Sequence, residues 1–214
     1  MGEICVRGRN LFMGYLNNPD ATFEVMDSEG FFHTGDIGQI DSKTGHLDIT
    51  GRLKELIITA GGENVSPIPI EEALKEICPI LSQCVVIGDE RKYLTCLLTI
   101  KCKSDHSNAG SRSKSSKELA PEVVSLIQGL GLRGKTTLDE IKSDSIILNY
   151  IQKCVDLVNS KAISRVTQIK KWKVLDRDFS IEGGELTPTL KVKRKVISKL
   201  HIDTIEQMYN DPKL

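Results

Sequence analysis

The sequence is short of the features that mark several classes of protein. Aromatic residues make up only 5%, too few for the stacking platforms that hold single-stranded nucleic acids. Neither sign of charge prevails, with 29 Lys+Arg against 29 Asp+Glu. No net field therefore points to nucleic acid or to an anionic surface. No apolar run approaches the roughly 20 residues that span a bilayer, which excludes a transmembrane segment and leaves peripheral membrane contact open. The first residues, Met1-Gly-Glu-Ile-Cys-Val-Arg7, lack the basic-then-apolar layout of a secretory leader. Val6 stands where a myristoylation signal carries Ser or Thr. The six cysteines include no Cys-x-x-Cys pair. Most fall in apolar runs, where cysteine acts as a small hydrophobe. Reduced thiols of a cytoplasmic protein are expected, rather than disulfides or a metal centre. His33, His46, His106 and His201 are scattered without ligand spacing, so no residue is assigned to a metal.

What is present supports an ordinary core. Hydrophobic residues make up 39% of 214, enough for one domain or for one and a fraction. Residues 1–53 read as a β-rich block. Alternation over 3–7 marks a strand, Asn17-Asn18-Pro19-Asp20 a turn, and 21–26 a short helix. Residues 31–38 form a strand ending at Asp36, and 46–50 its return partner across the turn 42–45. Beyond this block the texture changes to mixed α and β. Pro67 and Pro69 suit a first helical turn, and Ile70, Ala73, Leu74 and Ile77 give that helix a face. Residues 84–87 and 94–100 read as paired strands. Residues 103–117 carry no large apolar side chain and read as a flexible insertion, with a serine-rich stretch open to phosphorylation. Residues 121–130 are expected to be helical. Thr137 with Glu140 has the spacing of a reciprocal cap. The clearest helix covers 145–162, with Ile147, Ile151, Cys154, Val155 and Val158 on one stripe. A strand carrying Trp172, a Gly-containing loop over 179–185 and a helix running from 192 toward Met208 complete the chain. The fold class expected is α+β: a β-rich part followed by a small mixed α/β domain.

Four polar positions could carry chemistry. Asp36 and Arg52 sit on adjacent strands and can meet as a structural ion pair. They can equally hold a ribose diol, since a carboxylate accepts two hydrogen bonds and a guanidinium adds donors. Gly61-Gly62-Glu63 forms a tight turn, either a plain hairpin or part of a site. Lys191 follows Leu-Thr-Pro-Thr-Leu at a loop-to-helix junction, where it can meet a phosphate or simply be solvated. The run Lys191-Val-Lys-Arg-Lys195 also has the form of a nuclear signal, which the balanced charge and scarce aromatics oppose.

The run Gly51-Arg-Leu-Lys-Glu-Leu-Ile-Ile-Thr-Ala-Gly-Gly-Glu-Asn-Val65 resembles the hinge segment of the acyl-adenylate-forming superfamily. Gly2-Glu-Ile-Cys-Val-Arg-Gly8 with Gly14-Tyr-Leu-Asn-Asn-Pro19 resembles the end of its large N-terminal domain. Phe32-His-Thr-Gly-Asp36 is similar to its ribose-binding motif, and Leu186-Thr-Pro-Thr-Leu-Lys191 to its final motif. The form of that last motif, the 179–186 lead-in and the insertion look most like the bubblegum branch of long-chain fatty acyl-CoA synthetases. The resemblance implies that Asp36 holds the ATP ribose, that Arg52 contacts ribose or phosphate, and that Lys54 is the hinge. It implies that Gly61, Gly62 and Glu63 line the CoA channel, and that Lys191 contacts the carboxylate and α-phosphate.

The implied reaction uses ATP, CoA and Mg²⁺ to join a long-chain fatty acid to CoA. The family's phosphate-binding loop, Mg²⁺-binding glutamate and acyl tunnel have no counterpart in the sequence. The chain is therefore expected to be the end of the large domain (1–53) plus the mobile C-terminal domain (54–214), inactive by itself. A non-catalytic binding or regulatory module, or another acid-adenylating enzyme, are the alternatives. A cytoplasmic protein, peripheral to the endoplasmic reticulum or another membrane, is expected.

Overall fold

The structure is a computed structural model and describes residues 2–103 and 116–210. The expected flexible insertion lies outside the described residues, apart from its ends. Those ends are paired: Lys103 N donates to Glu118 O at 2.8 Å, and Cys102 bridges Leu119.

The chain divides into two compact units, Met1–Leu56 with Ser66–Pro69, and Ile57–Val65 with Ile70–Leu214. The first unit holds β1 (Gly2–Val6), α1 (Pro19–Val25), β2 (Phe32–Ile40) and β3 (Leu47–Arg52). Its sheet runs β1-β2-β3 with both pairings antiparallel. The short helix starts because Asn18 accepts from Ala21 N and Pro19 supplies a pre-set φ. The turn between β2 and β3 is fixed by Asp41, whose Oδ1 accepts from Lys43 N and Thr44 N.

The second unit opens with the two-residue strands β4 (Ile57–Ile58) and β5 (Asn64–Val65), followed by α2 (Pro67–Ile77), which the division splits after Pro69. β6 (Leu81–Ile87) and β7 (Leu94–Ile100) come next, then α3 (Pro121–Gly129), α4 (Leu138–Ile141), α5 (Ser145–Ser160) and β8 (Ile169–Val174). α6 (Arg194–Leu200) and α7 (Ile202–Asn210) close the described chain. Its main sheet has the order β6-β7-β8, antiparallel and then parallel. All seven residues of the central strand are buried, which suits an unbroken run such as Leu-Thr-Cys-Leu-Leu-Thr-Ile.

The two faces of this sheet explain the order of the helices. Cys84, Val86, Cys96, Leu98 and Ile100 belong to one apolar cluster with Leu74, Ile127, Ile141, Ile147 and Ile151. Val85, Ile87 and Leu97 belong to a second cluster with Phe179, Leu186, Ile197, Ile205 and Met208. The alternation of side chains across a strand thus assigns α2–α5 to one face and the C-terminal helices to the other. The stripe expected on α5 is buried in full. The reciprocal cap is present, with Glu140 Oε2 accepting from Thr137 N at 2.9 Å.

Two expectations need correction. Asp36 is not at a strand end: it lies inside β2, because the pairing with β3 runs from Ile40 back to Asp36. The C-terminal helix is not continuous. Val192 bridges Leu186, the helix begins only at Arg194, and it breaks at His201, where φ is −111° and ψ 24°.

The His201 ring packs 6.1 Å from the Phe179 ring, and its buried Nε2 has no partner among the described residues. Burial therefore holds its pKa below the usual 6.5, with the Arg177 charge acting the same way and Glu185 opposing. The unfolded chain takes up this proton near pH 6.5, whereas the folded chain waits for a lower pH. Stability from this group is complete above 6.5 and is lost as pH falls toward the folded value. The urea midpoint is expected to be lower at pH 5.5 than at pH 7.5, and less so in His201→Gln. An equal drop in both proteins would remove His201 as the cause.

Candidate functional site

Asp36 and Arg52 are brought together by strand register. They are direct partners across β2 and β3, and Arg52 Nε lies 3.1 Å from Asp36 Oδ1. The guanidinium side chain is 58% exposed and the carboxylate 26%, so both keep hydrogen-bonding capacity for a ligand. Asp36 N donates to Thr34 Oγ1 at 3.0 Å, and Thr34 Oγ1 donates to Ile4 O at 2.8 Å, which ties this part of β2 to β1. A Cβ added at Gly51 would collide with Ser66 Oγ, so Ser66 would have to turn away. Ser66 Oγ donates to Thr50 O at 2.6 Å. Lys54 sits exposed in a single 3-10 turn, Leu53–Glu55, after β3.

Gly61, Gly62 and Glu63 lie exposed in the turn between β4 and β5, in the second unit. Gly62 N donates to Thr59 O at 2.8 Å and Thr59 N to Glu63 O at 3.0 Å. Only Gly62 of the pair needs glycine for its backbone, with φ +78°. An added Cβ at Gly61 would meet Glu63 and Thr59 atoms at 3.6 and 3.7 Å, an ordinary contact. The turn is tethered by Ala60 N to Arg91 O at 2.9 Å and Ile58 N to Asp89 Oδ1 at 3.0 Å. Arg91 is in turn held by the Glu206 carboxylate and lies over the Tyr209 ring.

Lys191 is exposed, at the end of a separate turn in the same unit. Thr187 N donates to Lys191 O and Leu190 N to Thr187 O, both at 2.8 Å, while Lys191 N donates to Thr187 Oγ1 at 3.0 Å. Leu190 takes φ +61°, a left-handed conformation that costs a non-glycine residue about 1–2 kcal/mol. Strain of this kind gathers at functional loops.

Beneath the Lys191 turn is a residue that the sequence reading passed over as part of a glycine loop. Glu185 is fully buried and pairs with the Arg177 guanidinium through both carboxylate oxygens. It also accepts from Ser180 N at 3.2 Å, and its backbone O accepts from Lys193 N at 2.7 Å. A side chain at Gly183 would collide with this carboxylate. The Glu185 carboxylate thus fixes the 177–185 loop, while only its backbone oxygen reaches the segment after Lys191. The available signal was a lone acidic residue between Gly183-Gly184 and the apolar Leu186.

A second group was also missed. His33, which shows no ligand spacing in sequence, pairs with Cys5 across β1 and β2. His33 Nδ1 lies 2.8 Å from Glu3 Oε2, and Nε2 lies 3.4 Å from Asp27 Oδ2. The hydrogen bond that His33 donates to the Glu3 carboxylate, aided by Asp27, raises the His33 pKa, and the same bond lowers that of Glu3.

Comparison with known proteins gives these positions a context. Residues 54–131 match the family of AMP-binding enzyme C-terminal domains. The chain is 48% identical over 210 residues to the long-chain-fatty-acid–CoA ligase ACSBG2 of Mus musculus, covering 98% of this chain and 31% of that protein. It is 47% identical over 216 residues to ACSBG1 of Homo sapiens, covering 100% of this chain and 29% of that protein. The chain thus spans less than a third of the length of these relatives. Among solved structures, the adenylation domain of a carboxylate reductase from Mycobacterium chelonae superposes with a TM-score of 0.70 at 23% identity, over 98% of this chain and 28% of that one. The two-domain unit of a carboxylic acid reductase from Segniliparus rugosus, solved with AMP, gives 0.67 at 20% identity, over 98% and 25%. At these identities the likeness is one of fold. Among the described residues, no helix is long and apolar enough to cross a membrane.

Proposed function

We propose that the chain is a member of the acyl-adenylate-forming family and the C-terminal part of an ATP-dependent long-chain fatty acid–CoA ligase. The observation that carries this is identity of 46–48% along essentially the whole chain with ligases of that kind. On this reading residues 1–53 complete the nucleotide-binding large domain, and 54–214 form a C-terminal domain that turns about Lys54.

Asp36 accepts both ribose hydroxyls of ATP, and Arg52, already oriented by it, donates to ribose or phosphate. The fatty carboxylate attacks the α-phosphorus, the bond to the bridging oxygen breaks, and pyrophosphate leaves. Lys191 offsets the negative charge that builds up on the α-phosphate in that step. The CoA thiolate then attacks the acyl carbonyl, and AMP departs with the electron pair of the broken acyl–phosphate anhydride bond. Gly61 and Gly62 keep the pantetheine path free of side chains, with Glu63 at its edge. Mg²⁺ would enter with ATP, and none of its protein ligands is assigned to this chain. The Glu185–Arg177 pair holds the loop that leads into this turn. A cytoplasmic enzyme lying against a membrane fits a long-chain substrate.

The reading is tested in a chimaera in which this chain replaces the matching C-terminal third of mouse ACSBG2. Asp36→Asn keeps the shape but removes the charge that strengthens each ribose hydrogen bond. Loss of one bond to a charged group is worth about 1.5–3 kcal/mol, so KM for ATP is expected to rise by about 10- to 100-fold. An unchanged KM for ATP would remove Asp36 from the nucleotide site.

A further inference from the structure

We propose that Glu3, Cys5 and His33 form a three-ligand site for a divalent cation of the zinc class, with Asp27 as the carboxylate that orients the imidazole. One carboxylate O, one Sγ and one ring N converge there, all within 4.8 Å of one another. That set of sulfur, nitrogen and oxygen donors is what a borderline-soft ion selects over magnesium or calcium.

The geometry comes from the β1–β2 ladder. Cys5 and His33 are direct cross-strand partners, so their side chains rise on the same face. Cys5 Sγ lies 3.6 Å from His33 Nδ1. Metal–nitrogen and metal–sulfur bonds of about 2.05 and 2.3 Å at a tetrahedral angle place those two atoms about 3.6 Å apart. This edge of the coordination polyhedron is already in place. Glu3 Oε2 is 2.8 Å from Nδ1. It has to withdraw by about half an ångström, within reach of rotation about its terminal torsion.

The outer partners are present as well. His33 Nε2 faces Asp27 Oδ2 at 3.4 Å, the arrangement in which a ligating imidazole gives its far N–H to a carboxylate and presents its near nitrogen to the metal. Asp27 is itself fixed, because its Oδ1 accepts from Glu29 N and Phe31 N, both at 2.9 Å. Glu3 Oε1 accepts from Gly35 N at 3.1 Å. Two of the three ligands are therefore held from behind by groups that leave the metal-facing atom free. The thiolate and the Glu3 carboxylate balance a 2+ charge. Binding releases the Cys5 thiol proton and the proton on Nδ1. Cys5 is exposed, unlike the other five cysteines, so the site can be entered from solvent and keeps a fourth position for water.

The test uses the purified 214-residue chain, stripped with a chelator and titrated with Co²⁺ and then Zn²⁺. One equivalent of Co²⁺ is expected to give a thiolate-to-cobalt charge-transfer band in the near ultraviolet, which Zn²⁺ abolishes by displacement. Cys5→Ser, an exposed near-isosteric change, is expected to eliminate the band with unchanged circular dichroism. Asp27→Asn is expected to weaken binding by about 10- to 100-fold while keeping the band, as loss of an outer partner does. As a measurement on the unmutated protein, Zn²⁺ is expected to slow alkylation of Cys5 in mass-spectrometric mapping, and to lose this effect in His33→Gln. No band at one equivalent, a band that survives Cys5→Ser, or alkylation of Cys5 indifferent to Zn²⁺ would each overturn the site.

Discussion

Lys191→Ala in the chimaera is expected to slow pyrophosphate release from fatty acid and ATP by about 10²–10³-fold, the usual cost of one lost charge-stabilising contact. Turnover of preformed acyl-AMP with CoA is expected to change far less. The reason lies in when each charge develops. Negative charge accumulates at the α-phosphate as pyrophosphate leaves, and an ammonium group aimed there lowers that barrier alone. The Thr187 hydrogen bonds and the Lys193–Glu185 bond hold the backbone of this turn without using the lysine side chain, so the truncation leaves the turn intact.

The opposite change belongs in the β4–β5 turn. The position to use is Gly61, since any side chain at Gly62 is strained by its φ of +78° before it meets a ligand. Gly61→Trp is expected to leave pyrophosphate release intact and to block thioester formation. If both substitutions slow both half-reactions equally, Lys191 and Gly61 are structural and the two-orientation mechanism fails.

Glu71→Ala is expected to destabilise the second unit by about 3–5 kcal/mol, the cost of removing one partner of a buried ion pair. The Glu71 and Arg194 side chains are only 12% and 17% exposed. Arg194 reaches Glu71 through both terminal nitrogens, at 2.6 and 3.0 Å. The pair also serves β6, which lies at the edge of its sheet. Val86 N donates to Glu71 Oε1 at 2.7 Å, and Arg194 donates to Val86 O at 3.0 Å. Removing the carboxylate thus takes two charge-assisted bonds from the guanidinium and the acceptor from a backbone N–H in a place with little water. Urea unfolding measures the loss, and a change under about 1 kcal/mol would mean the pair behaves as an exposed one. Glu71→Gln with Arg194→Met is expected to recover part of the loss, because the guanidinium that lost its carboxylate is removed with it.

What could be read from the sequence was local. The α5 stripe and the Thr137–Glu140 cap depend on residues within a few turns of one another, and both stand in the structure as expected. The apolar run of β7 announced a strand, and the structure buries all seven of its residues. Asp36 and Arg52 were legible as a pair because a single short turn joins their strands, although register alone showed that Asp36 lies within its strand. The other features are set by contacts between distant parts of the chain. Glu71 and Arg194 are 123 residues apart, and no periodicity links them. Glu3, Cys5, Asp27 and His33 meet only when β1 pairs with β2. The break at His201, by contrast, is a local departure of its backbone from helical geometry, which helix propensity does not encode.

The central claim is that this chain supplies a working C-terminal part to a fatty acid–CoA ligase. The most direct measurement is palmitate-dependent formation of AMP and palmitoyl-CoA by the chimaera, with mouse ACSBG2 lacking its C-terminal third as the control. Turnover within about tenfold of intact ACSBG2, absent from the control and dependent on Lys191, is the predicted result. A chimaera that folds and binds ATP but forms neither acyl-AMP nor palmitoyl-CoA would contradict it.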